Sequence, residues 1–432
     1  MPALLSTAAW ILVAAAPGDL PPEPRLPATL TLPDALRIAR EHAPERTGAE
    51  AAVASAAAQV RSAGAVPNPS ASFMAGWSSQ CADPGCTQPS LVAGLGDQGA
   101  LSMIVTGLRG LAVDAAEQGL RGAEAARRDL ARNLDFQVKQ QFVATSVAVR
   151  TVAVARDEAR LAGETVQLAR KRLQAGAISE ADLARLEVLQ MQFEQVADRS
   201  EQALAQSRAV LAQLLGLRSG APAFEVDPGP TATALPPPPL ASATLDALAR
   251  GATETRPDLA AARAQLEQAR FQASLARRQV IPQFQLQAQY QQQGAPGGWF
   301  TPPTASVGLS IPLPVFYQQQ GQIGQADAAV LAAEAAVARI EAQVNAEVGS
   351  AFAAYQSSRR NAERAEHRLL PRSRDARDLV RIQYGKGAAS LLDYLDAQRT
   401  HLANELDYLA SLGAFWTAVF QLEQAVGASY LP

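Results

Sequence analysis

Residues 283–291 read QFQLQAQYQ, a stretch in which apolar and amide side chains alternate strictly. In an extended chain one face of this stretch carries Phe284, Leu286, Ala288 and Tyr290. The stretch TASVGLSIP, residues 304–312, alternates in the same way. Segments of about ten residues with this pattern are typical of transmembrane β-barrel strands, but an ordinary half-buried sheet has the same period of two. The alternation alone leaves both kinds of sheet open.

The sequence around these strands contains one unit twice. TLPDALRIAREHAP, beginning near residue 31, resembles TLDALARGATETRP near residue 244. RKRLQAGAISEADLARLE at 170–187 likewise resembles VRIQYGKGAASLLDYLDAQ at 380–398. Both pairs are offset by about 210 residues, as an internal duplication requires. The predicted division is a first repeat over 17–217, a proline-rich, semi-rigid linker over 218–243 and a second repeat over 244–432.

Each repeat is predicted to hold two strands followed by two long helices. The strands are expected at about 69–79, 99–108, 282–292 and 303–313, the first two on weaker alternation such as Phe73, Ala75, Trp77 and Leu101, Met103, Val105. The helices are expected at about 109–173, 179–216, 321–384 and 390–426. At 1.5 Å per residue, the longer helices would each reach roughly 90 Å, which exceeds the width of a globular domain.

Four strands are too few to close a barrel, and lipid tolerates no open sheet edge. A membrane barrel built from this chain must therefore be shared between copies, and three copies would give about twelve strands. The predicted fold class is mainly α with a small membrane β part. It is a duplicated unit of two strands and long helical hairpins, in which a shared barrel is continued by a helical tunnel.

The composition excludes several other functions. A net charge of −3 gives no basic field for nucleic acid. Three His, two Cys and four Met are too few and too scattered for a zinc or soft-metal site. We find no nucleophile–base pattern and no phosphate loop, so we expect neither an enzyme nor a cofactor. His42, His367 and His401 are each expected to be solvated helix residues.

Two features indicate an exported protein. Residues 1–16 form a short apolar run ending in small residues, as in a secretory signal peptide, and no later stretch is long and apolar enough for a membrane helix. Cys81 and Cys86 lie in the loop-like stretch CADPGCTQP, where an oxidising compartment favours a local disulfide. Two free thiols, or half of a metal site, are the alternatives.

Two sequence motifs carry a resemblance to a known family. The stretch SIPLPVF at 310–316, followed by QQQGQIGQADAAV, resembles the outer-membrane efflux family typified by TolC, and is similar to its CzcC-like branch, which serves heavy-metal resistance pumps. The second motif is a glycine followed six residues later by an aspartate, as in Gly176 with Asp182 and Gly387 with Asp393. The resemblance extends over essentially the whole mature chain.

This resemblance implies a homotrimer in the outer membrane, with a twelve-stranded barrel and a helical tunnel across the periplasm. The trimer would dock with a periplasmic adaptor protein and an inner-membrane transporter of the resistance–nodulation–division (RND) type. Such a duct would hydrolyse nothing and hold no cofactor. Its cargo would be heavy-metal cations, with drug efflux and type I protein secretion as alternatives.

The two helical hairpin tips are where function is expected to concentrate. Gly176 and Gly387 suit the reversal between antiparallel helices, which favours a residue with positive φ. Ser179 with Asp182, and Ser390 with Asp393, have the form of a capping box, so both acids have a purely structural interpretation. The residues expected to contact an adaptor, if they are not ordinary loop surface, are Gly176, Ala177, Ile178, Gly387, Ala388 and Ala389.

The functional interpretation places a gate at these tips. Asp393 and Asp396 are one helical turn apart, so three copies facing a pore would form two stacked acidic rings. By resemblance, these two are the pore-lining aspartates, while Tyr384 and Asp182 link neighbouring hairpins. Ala389 stands where the family archetype has an arginine, so the archetypal ionic lock is in doubt here.

A different class of protein, a periplasmic helical adaptor or scaffold, is the main rival. It would explain the long hairpins, but it would leave the alternating strands and the duplication unexplained.

Overall fold

A computed structural model describes residues 23–78, 88–218, 224–234, 237, 240, 244–294 and 301–429. The predicted signal peptide and the Cys81–Cys86 pair lie outside the described residues. The chain forms two compact units. The first combines Met1–Thr47 with Gln137–Ala232, and the second combines Gly48–Phe136 with Thr233–Pro432. The predicted repeat boundaries remain a prediction, since these units are not consecutive halves of the sequence.

The first unit is a helical hairpin with a small strand pair. Its helices are α1 (Leu32–His42), the second part of α4 (Leu108–Gln174) and α5 (Glu180–Leu214). Its strands β1 (Thr29–Leu30) and β4 (Glu225–Val226) pair in parallel, and a 3₁₀ turn spans Gly229–Ala232. Ion pairs between Arg156 and Glu201 (2.6 Å), and between Arg170 and Glu187 (2.9 Å), show that α4 and α5 run antiparallel.

The second unit contains the sheet and the remaining helices. In chain order its helices are α2 (Pro44–Gly64), α3 (Ala100–Val105), the first part of α4, α6 (Leu245–Thr255), α7 (Pro257–Arg278), α8 (Gln320–Arg364), α9 (Leu370–Gly385) and α10 (Leu391–Val426). Its core lies where α8 packs on α10: Val344, Val348 and Ala351 are buried there, as are Phe415 and Trp416. Among the described residues no helix combines the length and apolarity that a bilayer crossing needs.

The sheet has four antiparallel strands in the order β2 (Ser70–Ser78), β3 (Gln88–Gly96), β5 (Gln285–Gln293) and β6 (Thr304–Ser310). The register pairs Phe73 with Ala93, Ala93 with Tyr290, and Tyr290 with Ala305. One face is therefore apolar across all four strands, as the alternation in residues 283–291 predicts. The side chains of this face are largely exposed in the single chain, for example Phe73 (72%), Trp77 (77%) and Val307 (83%).

The prediction of a strand at 99–108 was wrong. The second strand of the first repeat is β3, at Gln88–Gly96, and the predicted range contains helix α3 instead. The cause is Asp97, whose carboxylate accepts hydrogen bonds from the N–H groups of Gly99 and Leu101. Gly99 itself has φ +81°, which interrupts an extended backbone at the start of the helix. The period-two spacing of Leu101, Met103 and Val105 was accidental.

The prediction of one continuous helix over 321–384 also needs correction. A π-helical turn at Ala365–Leu369 separates α8 from α9. Pro371 lies two residues after the end of this turn, and its missing N–H removes one helical hydrogen bond. A π turn is a known way for a helix to accommodate such a defect. The longer helix of the first repeat contains no proline and runs without a break over the 67 residues of α4.

Candidate functional site: the hairpin tips

The first tip, residues 175–179, joins α4 to α5 through a Schellman motif. The N–H of Gly176 donates to the Leu173 carbonyl (2.9 Å), and the N–H of Ala177 donates to the Arg172 carbonyl (2.8 Å). Gly176 has φ +69°, a conformation that only glycine adopts without strain. The predicted reversal therefore lies at this glycine.

The second tip, residues 386–390, has the same geometry in the second unit. Gly387 has φ +79° and donates to the Tyr384 carbonyl (3.1 Å), while Ala388 donates to the Gln383 carbonyl (2.8 Å). A side chain at either tip glycine would meet no atom within 4 Å. The duplication seen in the sequence thus extends to individual hydrogen bonds.

Both acids at the tips close capping boxes. Ser179 accepts from the Asp182 N–H (3.1 Å) and Ser390 accepts from the Asp393 N–H (3.2 Å), and each carboxylate accepts in return from the N–H of its serine. The Ser390 hydroxyl also donates to Asp393 at 2.7 Å, and these bonds hold the pKa of Asp393 below its usual range. The structural interpretation therefore holds for both acids. It leaves Asp393 ionised at neutral pH and exposed to solvent.

Asp396 lies one turn beyond Asp393 and is also exposed. Between them, Tyr394 and Leu395 are buried. The two aspartates thus share the exposed side of α10, as their spacing predicts.

Tyr384 stacks on Tyr394, with ring centroids 5.0 Å apart and an interplanar angle of 18°. This contact fixes Tyr384 between α9 and α10 of its own hairpin. Sequence reasoning missed the contact because the two rings come from different helices, although each lies five residues from Ala389, in opposite directions, which could have suggested it. A link from Tyr384 to a neighbouring hairpin remains a prediction.

The six residues expected to contact an adaptor are accessible in the single chain. Gly176, Ala177, Gly387 and Ala388 are exposed, and Ile178 and Ala389 are half-exposed. The structure adds three exposed apolar side chains around the second tip that sequence reasoning missed: Leu379, Ile382 and Leu392. Several exposed apolar side chains close together can mark a contact surface.

His401 differs from its prediction as a solvated residue, because its side chain is only 1% exposed. Its Nδ1 lies 3.3 Å from the Ser373 hydroxyl, which accepts from Asn404 (3.0 Å), and its Nε2 lies 3.7 Å from Glu405. Burial, followed by the charge of Arg377, lowers the pKa of His401. At neutral pH His401 is therefore largely uncharged, and its contact with Ser373 links α10 to α9.

Comparison with known proteins agrees with this architecture. CusC, whose crystal structures concern folding and transmembrane channel formation, superposes with a TM-score of 0.78 at 20% identity over 92% of both chains. A membrane protein of Pseudomonas aeruginosa gives 0.77 at 24% identity, again over 92% of both chains. The chain therefore has the fold of these two proteins.

Two sequence matches add to the similarity of fold. Residues 248–428 match the family described as outer membrane efflux protein, which confirms the resemblance found in the motifs. The cobalt-zinc-cadmium resistance protein CzcC of Cupriavidus metallidurans is 28% identical over 330 residues, 74% of each chain. The chain is thus similar in sequence to outer membrane efflux proteins and to a metal-resistance protein.

Proposed function

We propose that three copies of this chain form the passive exit duct of a heavy-metal efflux pump, gated at the second tip. The observation that carries the proposal is the four-stranded sheet, which has one apolar face and two edges without a partner among the described residues. An unpaired edge is not stable in lipid, and an exposed apolar face of this breadth needs a cover. A barrel shared between copies in a bilayer pairs the free edges and places lipid against the apolar face.

The strand directions favour ring closure. Because each neighbouring pair is antiparallel, β2 and β6 at the two edges run in opposite directions. The β6 edge of one copy therefore suits antiparallel pairing with the β2 edge of the next, and this head-to-tail contact closes when the rotation closes. Three copies give twelve strands, an even number within the range of outer-membrane barrels.

The proposed gate uses the exposed side of α10. In a three-fold ring, Asp393 and Asp396 would form two stacked rings of negative charge at the mouth of the tunnel. Such rings attract cations and constrict the opening when the tips converge. With Ala389 at the second tip, the lock would depend on contacts other than an arginine there, such as the link from Tyr384 to a neighbouring hairpin that the resemblance implies. An adaptor that binds splayed tips more tightly would shift the population towards the open state.

Divalent metal cations are the cargo that two observations support. The relative CzcC is named for cobalt, zinc and cadmium resistance. The paired aspartates favour cations over anions at the entrance, since a carboxylate held ionised attracts positive charge. The chain would carry the ions in transit and hold none as a cofactor.

The experiment combines location, assembly and conductance. The protein should be found in outer-membrane fractions as a detergent-stable trimer, and a soluble periplasmic monomer would refute the duct. In planar lipid bilayers, Asp393→Asn with Asp396→Asn should lower the cation preference and change the conductance, because asparagine removes the charge but keeps a capping oxygen. Asp407→Asn, an exposed acid farther along α10, is the matched control.

The cargo needs a separate assay in cells. A strain that lacks the channel should regain zinc, cobalt or cadmium tolerance when this chain is expressed with its pump and adaptor. Restored drug tolerance without restored metal tolerance would contradict the metal cargo and leave the duct intact.

A further inference from the structure

The face of the sheet opposite the apolar face carries a row of five glutamines on β5. They occupy alternate positions and all are exposed: Gln285, Gln287, Gln289, Gln291 and Gln293. None of their side-chain amides hydrogen-bonds to another described residue, whereas Gln292, on the apolar face, accepts from Tyr290 (3.3 Å). Free amides in a row are available to water or to a passing solute.

Small residues flank this row on both neighbouring strands. Gln287 lies between Gly96 of β3 and Gly308 of β6, and Gln289 lies between Gly94 and Ser306. A Cβ atom at Gly308 would come within 3.0 Å of the Gln287 amide nitrogen, so the amide lies across the space that the glycine leaves. The side chains of β5 are thereby the most prominent polar groups on this face.

The sheet is also uncharged throughout. None of its four strands contains Asp, Glu, Lys, Arg or His. Asp97 directly follows β3. Its carboxylate accepts hydrogen bonds from the backbone N–H groups of Leu286 (2.8 Å) and Gly99 (3.1 Å), which partly neutralise its charge. The polar face therefore carries hydrogen-bonding groups but no charge of either sign.

We infer that the glutamine row lines the lumen of the barrel and makes this part of the duct indifferent to the sign of an ion's charge. The inference rests on the proposed function, since it requires the shared barrel. The apolar face must point to lipid, so the glutamine row points inward. Amide groups hydrate cations through oxygen and anions through N–H, so free metal cations, anionic metal complexes and neutral polar solutes would pass with little discrimination. Selection by charge then belongs to Asp393 and Asp396.

The test measures ion selectivity in planar bilayers under a potassium chloride gradient. Dilute salt is used, because the Debye length of about 30 Å at 0.01 M lets a ring of charges act across the lumen. The double variant Asp393→Asn with Asp396→Asn should have a reversal potential near zero. Adding Gln287→Glu should move it towards the potassium value, and Gln287→Lys should move it towards the chloride value.

Two further variants serve as controls for this measurement. Gln292→Glu places the same charge on the opposite face one residue from the row, and it should leave the reversal potential unchanged where the channel assembles. Gln287→Cys allows a positive or negative methanethiosulfonate reagent to add the charge after assembly, with the reagent-treated parent as its control. These additions should shift the reversal potential in the same directions as Gln287→Lys and Gln287→Glu, respectively.

The outcomes separate the two proposals. A conducting channel that stays strongly selective after loss of both aspartates would overturn the inference alone. So would a conducting channel in which charge at position 287 has no effect. If no preparation of the wild-type protein conducts, the proposed duct itself fails, and the inference fails with it.

Discussion

Among the described residues of the second unit, Arg256 is the most deeply buried side chain that is charged at neutral pH, with only 2% of it exposed. Its guanidinium lies 2.6 Å from both Asp258 and Glu347 and donates to the Ala425 carbonyl (3.1 Å), so it ties α7 to α8 and α10. Asp258→Asn should cost about 1–3 kcal/mol of unfolding free energy, less than a fully buried pair because the carboxylates are partly solvated. Thermal or chemical denaturation of the detergent-solubilised protein measures this loss.

The matched control is Asp327→Asn, which breaks the exposed Arg277–Asp327 pair (2.7 Å) between α7 and α8. Surface pairs contribute about 0–1 kcal/mol, so this variant should unfold close to the wild type. Equal losses in the two variants would contradict the special role of Arg256.

The same cluster predicts a pH dependence. Burial acts to raise the pKa of Asp258, but the hydrogen bonds and charge of Arg256 outweigh it, and the pKa lies below its usual range. A carboxyl with a lowered folded-state pKa stabilises the fold above its unfolded value, about 3.9, and this contribution disappears as the pH falls through the folded value. The stability difference between wild type and Asp258→Asn should therefore be constant near neutral pH and shrink below about pH 4. A difference that grows on acidification would contradict the assignment.

Gly387 tests the geometry of the second tip. Its left-handed φ makes Gly387→Ala cost about 1–2 kcal/mol, and the cost is pure backbone strain because the added methyl meets no neighbour. Gly385→Ala, two residues earlier in α9 and equally open, should be neutral or slightly stabilising. Hydrogen–deuterium exchange of the tip amides should be faster in the first variant only.

At the scale of elements, the sequence predicts what repeats locally and misses what depends on one distant contact or one local defect. Strands β5 and β6 follow the period-two alternation closely. The strand β2 follows it less closely, because Met74 faces the polar side. The strand β3 was missed, because Val92 also faces the polar side and blurs the pattern, while the helix after it depends on Asp97. The tips were predicted in detail because glycine and the capping box act over six residues. The burial of His401 was missed, since it requires Ser373 from another helix.

The π turn between α8 and α9 is an element that a single residue can test. In Pro371→Ala the restored N–H can donate to a carbonyl one turn earlier, and the variant should gain about 1 kcal/mol or more. Amide exchange across residues 365–371 should slow. Arg372→Ala changes an exposed neighbour that already has its N–H and should leave exchange there unchanged. Faster exchange in Pro371→Ala would show that the proline stabilises this turn instead.

At the scale of the whole molecule, strand count and strand direction together limit how copies can assemble. The number of strands could be predicted from the sequence, and with it the need for more than one copy. Neither the order β2-β3-β5-β6 nor the opposite directions of the two edges could be predicted, because hydrogen-bonded pairing between repeats is not encoded in local alternation. Only the observed strand order and directions make the proposed contact between β6 and the next copy's β2 testable.

Cysteine pairs across the two edges test this pairing directly. Within one chain β2 and β6 are separated by two strands, roughly 14 Å at 4.8 Å per strand, which no disulfide can bridge. With Cys81 and Cys86 replaced by serine, Phe73→Cys combined with Ala305→Cys, Val307→Cys or Leu309→Cys should therefore cross-link only between copies. In the matching register, oxidised samples should show dimers and trimers on denaturing gels, and the ladder should stop at three because the ring is closed. Phe73→Cys alone should give no ladder. Bands that continue beyond three would indicate an open assembly and contradict the closed trimer.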